Sequence, residues 1–179
     1  MKRLYLLRHA QALSSSDSGD KGRALSPQGM EDATALGLMM ARRHYRPGLV
    51  LCSPATRTRQ TLDGVLEAMD GLAVHSPEHL YNAGYSAFME GLEDVPDTIT
   101  SLLIIAHNPG IHDFAARLAS EDSASSHLAR LMQGFKPGAL AAFDCPIESW
   151  MDLADETNLL IDFQDPQDYN APAGPTRWT

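Results

Sequence analysis

The sequence predicts a single α/β domain over residues 1–179, a mostly parallel sheet between two layers of helices. Three observations point there. Apolar runs suited to strands alternate along the chain with stretches whose apolar residues recur at helical spacing. One run, SLLIIAH at 101–107, is the strongest strand signal in the chain. Finally, the good helix openings Ser53-Pro54 and Asn108-Pro109 follow two of the strands directly. Such crossovers cover both faces of a parallel sheet.

Taken in order, residues 3–8 of KRLYLLRHAQA read as the first strand, which ends on Arg8-His9. The following QALSSSDSGDKGR is polar and without periodicity, a loop over 11–25 long enough to be functional. A helix opens at Ser26-Pro27, with serine as N-cap, and runs to about His44. Met30, Ala33, Leu36 and Met40 fall roughly in register along it. LVLCS at 49–53 is the second strand, and Ser53-Pro54 opens the next helix. LAVHS at 72–76 gives a third strand, with a helix near 85–94. SLLIIAH then leads into Asn108-Pro109, which caps a helix running to about Ala119. ALAAFDC at 139–145 and NLLIDF at 158–163 are further strands, with a short one around Trp150.

Composition excludes several classes. The net charge of −9 argues against a nucleic-acid binder, which needs a basic face. The acidity is uneven: from Pro137 onward eight acids face Arg177 alone, so the first 136 residues carry only −2. An anion site would therefore depend on a few local arginines in that larger part. The N-terminal apolar run is short and breaks at Arg8, unlike a signal peptide. No stretch approaches the roughly 18 apolar residues of a membrane span. A soluble cytoplasmic protein without membrane partners is expected. Cys52 and Cys145 form no C-x-x-C and suggest neither a disulfide framework nor a zinc site.

The polar residues fall at telling places. In open α/β sheets, ligands bind beyond the carboxyl ends of the strands. Arg8 and His9 end the first strand, His107 ends the fourth, and Arg57 lies in the first turn after the second. Two helix N-termini add a positive dipole end at the same edge. If these strands are neighbours, the convergence is a phosphate site, because a guanidinium fork suits bidentate contact with phosphate oxygens. Arg59, two helical positions on, points roughly away from Arg57 and should not join it.

Three strings carry a resemblance: LLRHAQA, SPATRTRQT at 53–61 and IIAHNPG at 104–110. Together they resemble the motifs of the histidine phosphatase superfamily, phosphoglycerate mutase-like in fold. The SixA-type phosphohistidine phosphatases are the branch they are most similar to, and the late LLIDFQDPQDY resembles that branch as well. The resemblance implies a phosphatase needing no metal or cofactor, with a phosphohistidine intermediate. It implies His9 as nucleophile, Arg8 and Arg57 as phosphate clamps with Asn108 beside them, and His107, protonated, as transition-state stabiliser. The substrate it implies is a phosphorylated protein carrying phosphohistidine.

Other readings compete. A cysteine-dependent phosphatase fails on spacing, since position 58, where C-x5-R chemistry needs arginine after Cys52, is threonine. A small-metabolite phosphatase or mutase-like enzyme would need a general acid between the second and third motifs, where Glu78 stands in other surroundings. A silent phosphate-binding module is opposed by the complete Arg-His-Arg-His set. His75 and His79 are spaced as a metal pair on a helix, but Pro77 interrupts that helix.

Overall fold

The computed structural model of the chain describes residues 1–170. Arg177 and the last stretch of the expected domain lie outside the described residues. Six strands, β1 (Lys2–Arg8), β2 (Leu49–Cys52), β3 (Val74–His75), β4 (Ser101–Ala106), β5 (Leu140–Cys145) and β6 (Leu159–Gln164), form one sheet in the order β3-β2-β4-β1-β5-β6. β1, β2, β3 and β4 pair in parallel, while β5 runs antiparallel to both β1 and β6. Only β5 therefore opposes the common direction.

Alternation along the strands builds the layers. Leu4 and Leu6 of β1, with Leu102 and Ile104 of β4, face Phe88 of α3 (Tyr85–Glu93), Phe114 of α4 (Gly110–Leu118) and Leu131 of α5 (Ser125–Gln133). Tyr5, Leu7, Leu103 and Ile105 point the other way. They meet Leu36 and Met40 of α1 (Pro27–Arg42) and Leu62 and Val65 of α2 (Thr56–Leu66). Each fully buried side chain of this kind contributes about 1.5–3 kcal/mol. The short α6 (Pro166–Tyr169) closes the described chain.

Several expectations change. Trp150–Asp152 is a 3-10 turn rather than a strand, with the Trp150 indole donating to the Ile99 carbonyl at 2.9 Å. α5 was not expected from the sequence. Met30 lies off the apolar face of α1, 46% exposed. Ser26 does cap α1, accepting from Gly29 N at 3.0 Å. By contrast, α2 begins at Thr56 and α4 at Gly110, past the predicted caps Ser53 and Asn108, and neither helix has a side-chain cap. Both of those side chains are bonded elsewhere, at the carboxyl edge of the sheet.

Candidate active site

The strand order supplies the missing condition. β2, β4 and β1 are consecutive neighbours running in one direction, so Ser53, His107 and Arg8-His9 emerge at the same sheet edge. Arg57, buried in the first turn of α2, reaches that edge from the side. Arg8, His9, Arg57, His107 and Asn108 line one cleft of about 380 Å³. Arg59 is exposed and Cys52 is buried outside the cleft, its thiol pushed up to about 12 by burial.

The SPATRTRQT string turns out to be scaffold as well as site. Thr58 Oγ1 donates to the Ser53 and Ala55 carbonyls at 2.7 and 2.8 Å, which secures the turn into α2. Thr61 Oγ1 accepts from the Ala10 N–H at 3.0 Å, and Gln60 Oε1 from the Leu25 N–H at 2.7 Å. The chain on both sides of the 11–25 loop is thus tied to the helix that carries Arg57. Gly110 is glycine for a spatial reason: a Cβ there would lie 1.8 Å from the Ala83 carbonyl oxygen. That close approach seats the segment around Tyr81 and Asn82 against the start of α4.

The His9 ring is fixed in tautomer. Its Nδ1 lies 2.7 Å from the Ala10 carbonyl oxygen. A carbonyl only accepts, so Nδ1 carries the proton and Nε2 keeps its lone pair. Burial, opposed in part by this hydrogen bond, lowers its pKa to about 3. The His107 ring stands 5.4 Å away between centroids, with Nε2 2.6 Å from Ser53 Oγ. Burial, and after it the Arg57 charge, lowers the His107 pKa to about 4. In its own surroundings in the protein His107 is therefore neutral at neutral pH; the protonated form expected of it belongs to the step with a phosphate beside it.

Arg8 donates from Nη1 to the Phe135 carbonyl at 3.0 Å, and Asn108 Nδ2 donates to the same oxygen at 2.9 Å. Asn108 thus gives one of its two amide N–H donors to the carbonyl that also holds Arg8, which leaves the second donor and an unpaired oxygen at the cleft. Burial, then Arg57 and Arg23, lowers the Arg8 pKa to about 10, which still leaves it charged. Among the described residues, five buried side-chain N or O atoms lack a hydrogen-bond partner. Four of them, Arg8 Nε, Arg57 Nε, His107 Nδ1 and Asn108 Oδ1, belong to this cleft. Folded proteins leave few such atoms, so their concentration here marks a site built for a polar ligand.

Sequence reading missed three neighbours. Ser53, read as a helix cap, holds His107. Asp20 and Arg23 come from the polar 11–25 loop, where no periodicity announces a contact, and line the cleft as well. Glu78 does not line it; its exposed side chain pairs with Lys21 at 2.7 Å.

The buried imidazoles carry a stability signature. Both pKa values fall below the ordinary 6.5, so the unfolded chain takes up protons first as the pH drops. Stability from keeping the rings neutral is complete above about 6.5 and is lost as the pH falls toward 4 and then 3. Urea midpoints measured from pH 7 to pH 4 should fall less steeply for His9→Ala than for the wild type.

The sequence matches the histidine phosphatase superfamily (branch 1) over residues 4–108. It is 30% identical over 162 residues to an uncharacterized protein of Mycobacterium tuberculosis, covering 90% of this chain and all of that one. Two solved structures of proteins assigned as phosphohistidine phosphatase SixA are similar at 30% identity. The one from Agrobacterium tumefaciens superimposes with a TM-score of 0.77 over 92% of this chain and 98% of its own. The one from Nakamurella multipartitia does so at 0.78 over 92% and 96%. The sheet, the three motifs at its carboxyl edge and these matches agree: the chain belongs to the histidine phosphatase superfamily.

Proposed function

We propose that this protein is a phosphatase that uses His9 as nucleophile and removes phosphate from phosphohistidine in a protein substrate. The observation that carries the reading is the neutral His9 ring, its Nδ1 tied to the Ala10 carbonyl and its Nε2 free, among guanidiniums with unpaired donors. Phosphoryl transfer needs positioning and charge stabilisation more than covalent chemistry. The Nε2 lone pair attacks phosphorus as the bond to the leaving group breaks. Arg8 and Arg57 hold the equatorial oxygens, and Ser53 Oγ pairs with His107 Nε2, leaving Nδ1 to carry a proton toward a phosphate oxygen. Nearby phosphate charge favours full protonation of His107. Water then attacks the phosphoryl group, the Nε2–P bond breaks, and neutral His9 returns. No step requires a metal, so chelators should leave the rate unchanged.

Substrate class follows from the acids. Among the described residues Asp20 is the one carboxyl group lining the cleft, and hydrogen bonding from Tyr81, aided by Arg57, holds it below the ordinary carboxylate range. It is an anion, not a proton donor. Glu78 is paired and outside the cleft. An alkyl phosphate expels a poor leaving group and gains much from a positioned acid, whereas phosphohistidine releases imidazole once protonated near neutral pH. The SixA assignment of the two similar structures supports the same choice.

The test is one assay series across a protein phosphohistidine, aryl phosphates of graded leaving-group pKa, and sugar phosphates. Rates should fall steeply as that pKa rises, and Glu78→Gln should change phosphohistidine turnover little. If sugar phosphates react as fast and Glu78→Gln removes only that activity, the small-metabolite reading replaces this one.

A further inference from the structure

The loop between β1 and α1 places a second charge pair against the clamp. Arg23 lines the same cleft as His9 and Arg57. Its Nε donates to the Leu13 carbonyl at 2.8 Å, and its Nη1 lies 3.1 Å from Asp20 Oδ1. The other oxygen, Asp20 Oδ2, is 3.2 Å from Arg57 Nη2 and also accepts from the Tyr81 hydroxyl. The Asp20 backbone carbonyl accepts from Arg57 Nη1 at 2.8 Å. One carboxylate therefore bridges two guanidiniums, as a phosphate would.

Charge balance sharpens the point. Three guanidiniums line the cleft against a single carboxylate, in a chain whose net charge is −9. Arg57 is buried, and both of its terminal nitrogens are spent on Asp20 while Nε stays unpaired. Removing its partner without a substitute would leave an uncompensated buried charge, so an anion that displaces Asp20 has to take over its bonds to Arg57. Arg23 is anchored through Nε to the Leu13 carbonyl, a bond that does not involve Asp20, and it lines the cleft.

We propose that Arg23 is a third phosphate-binding guanidinium, and that Asp20 marks with its carboxylate the place where a phosphoryl group comes to bridge Arg23 and Arg57. The inference deepens the phosphatase reading but requires only anion binding. Substrates would enter by exchange, carboxylate out and phosphate in, which favours dianions over singly charged groups.

The test is calorimetric binding of inorganic phosphate to the intact chain, read without turnover. Arg23→Ala should weaken binding about tenfold, the loss of a charged hydrogen-bonded contact. Arg23→Lys should recover little of this, because a point charge does not replace the fork. Asp20→Ala should tighten binding several-fold. If the pair is only a strap for the loop, Arg23→Ala and Asp20→Ala shift affinity in the same direction, and the proposal falls. If bare charge is all that matters, Arg23→Lys binds like the wild type, and it falls again. Should Arg23→Ala lose its fold on thermal melting, Arg23→Lys decides alone. Phosphate binding with these signatures but no hydrolysis of any substrate would sink the phosphatase reading and leave this one. Turnover with phosphate affinity indifferent to Arg23 would do the reverse.

Discussion

His9→Ala is expected to abolish turnover, while His107→Ala leaves a slower enzyme whose phosphorylated form accumulates. The asymmetry comes from the two rings' bonds. His9 has its Nδ1 proton held by Ala10 and offers the Nε2 lone pair to the cleft for a bond to phosphorus. His107 has Nε2 paired with Ser53 and leaves Nδ1 as the nitrogen that could serve one transition-state contact under the proposed mechanism. Losing such a contact costs about 10²–10³ in rate, not the whole reaction. Rapid quenching with labelled substrate should find acid-labile, base-stable phosphate on His9. Label on Cys52, or full activity in His9→Ala, would refute the mechanism.

Arg8→Lys and Arg57→Lys should each cost on the order of 3 kcal/mol of transition-state stabilisation, about a hundredfold in rate. Both variants keep the charge, so the loss isolates geometry. Arg8 anchors to the Phe135 carbonyl through Nη1 and keeps Nε unpaired for a ligand. A lysine ammonium at that depth cannot hold the carbonyl and present a second donor in a fixed plane. Arg57 is in the same position with its donors divided between Asp20 and the cleft. Arg59→Ala, an exposed change on the far side of α2, should stay within about a factor of two. Steady-state rates on an aryl phosphate decide the matter. A variant series in which Arg59 matters more than Arg57 would place the clamp elsewhere.

Much of this site was legible in the chain. The alternation of strands and helices foretold the layers, because apolar periodicity is a local property of each element. Arg8, His9 and His107 were legible for the same reason: each stands at the end of a strand, and strand ends are where α/β sheets bind ligands. The Arg57 and Arg59 contrast followed from helical geometry alone. β5, running against the rest, was not legible, since a single apolar run carries no direction.

The sequence by itself determined which residues stand at strand ends and which arginine faces inward. Only the tertiary structure decided that β2, β4 and β1 lie side by side, because strand order depends on contacts between segments far apart in the chain. It also decided what the two helix-cap signals do. Ser53 and Asn108 have the right side chains for caps, yet a cap is a competition for hydrogen bonds, and His107 and the Phe135 carbonyl won it. Burial, which no local pattern encodes, lowers the pKa of both imidazoles. Lastly, it brought Asp20 and Arg23 out of a featureless loop onto Arg57, since a polar segment without periodicity takes its place from the surface it folds against.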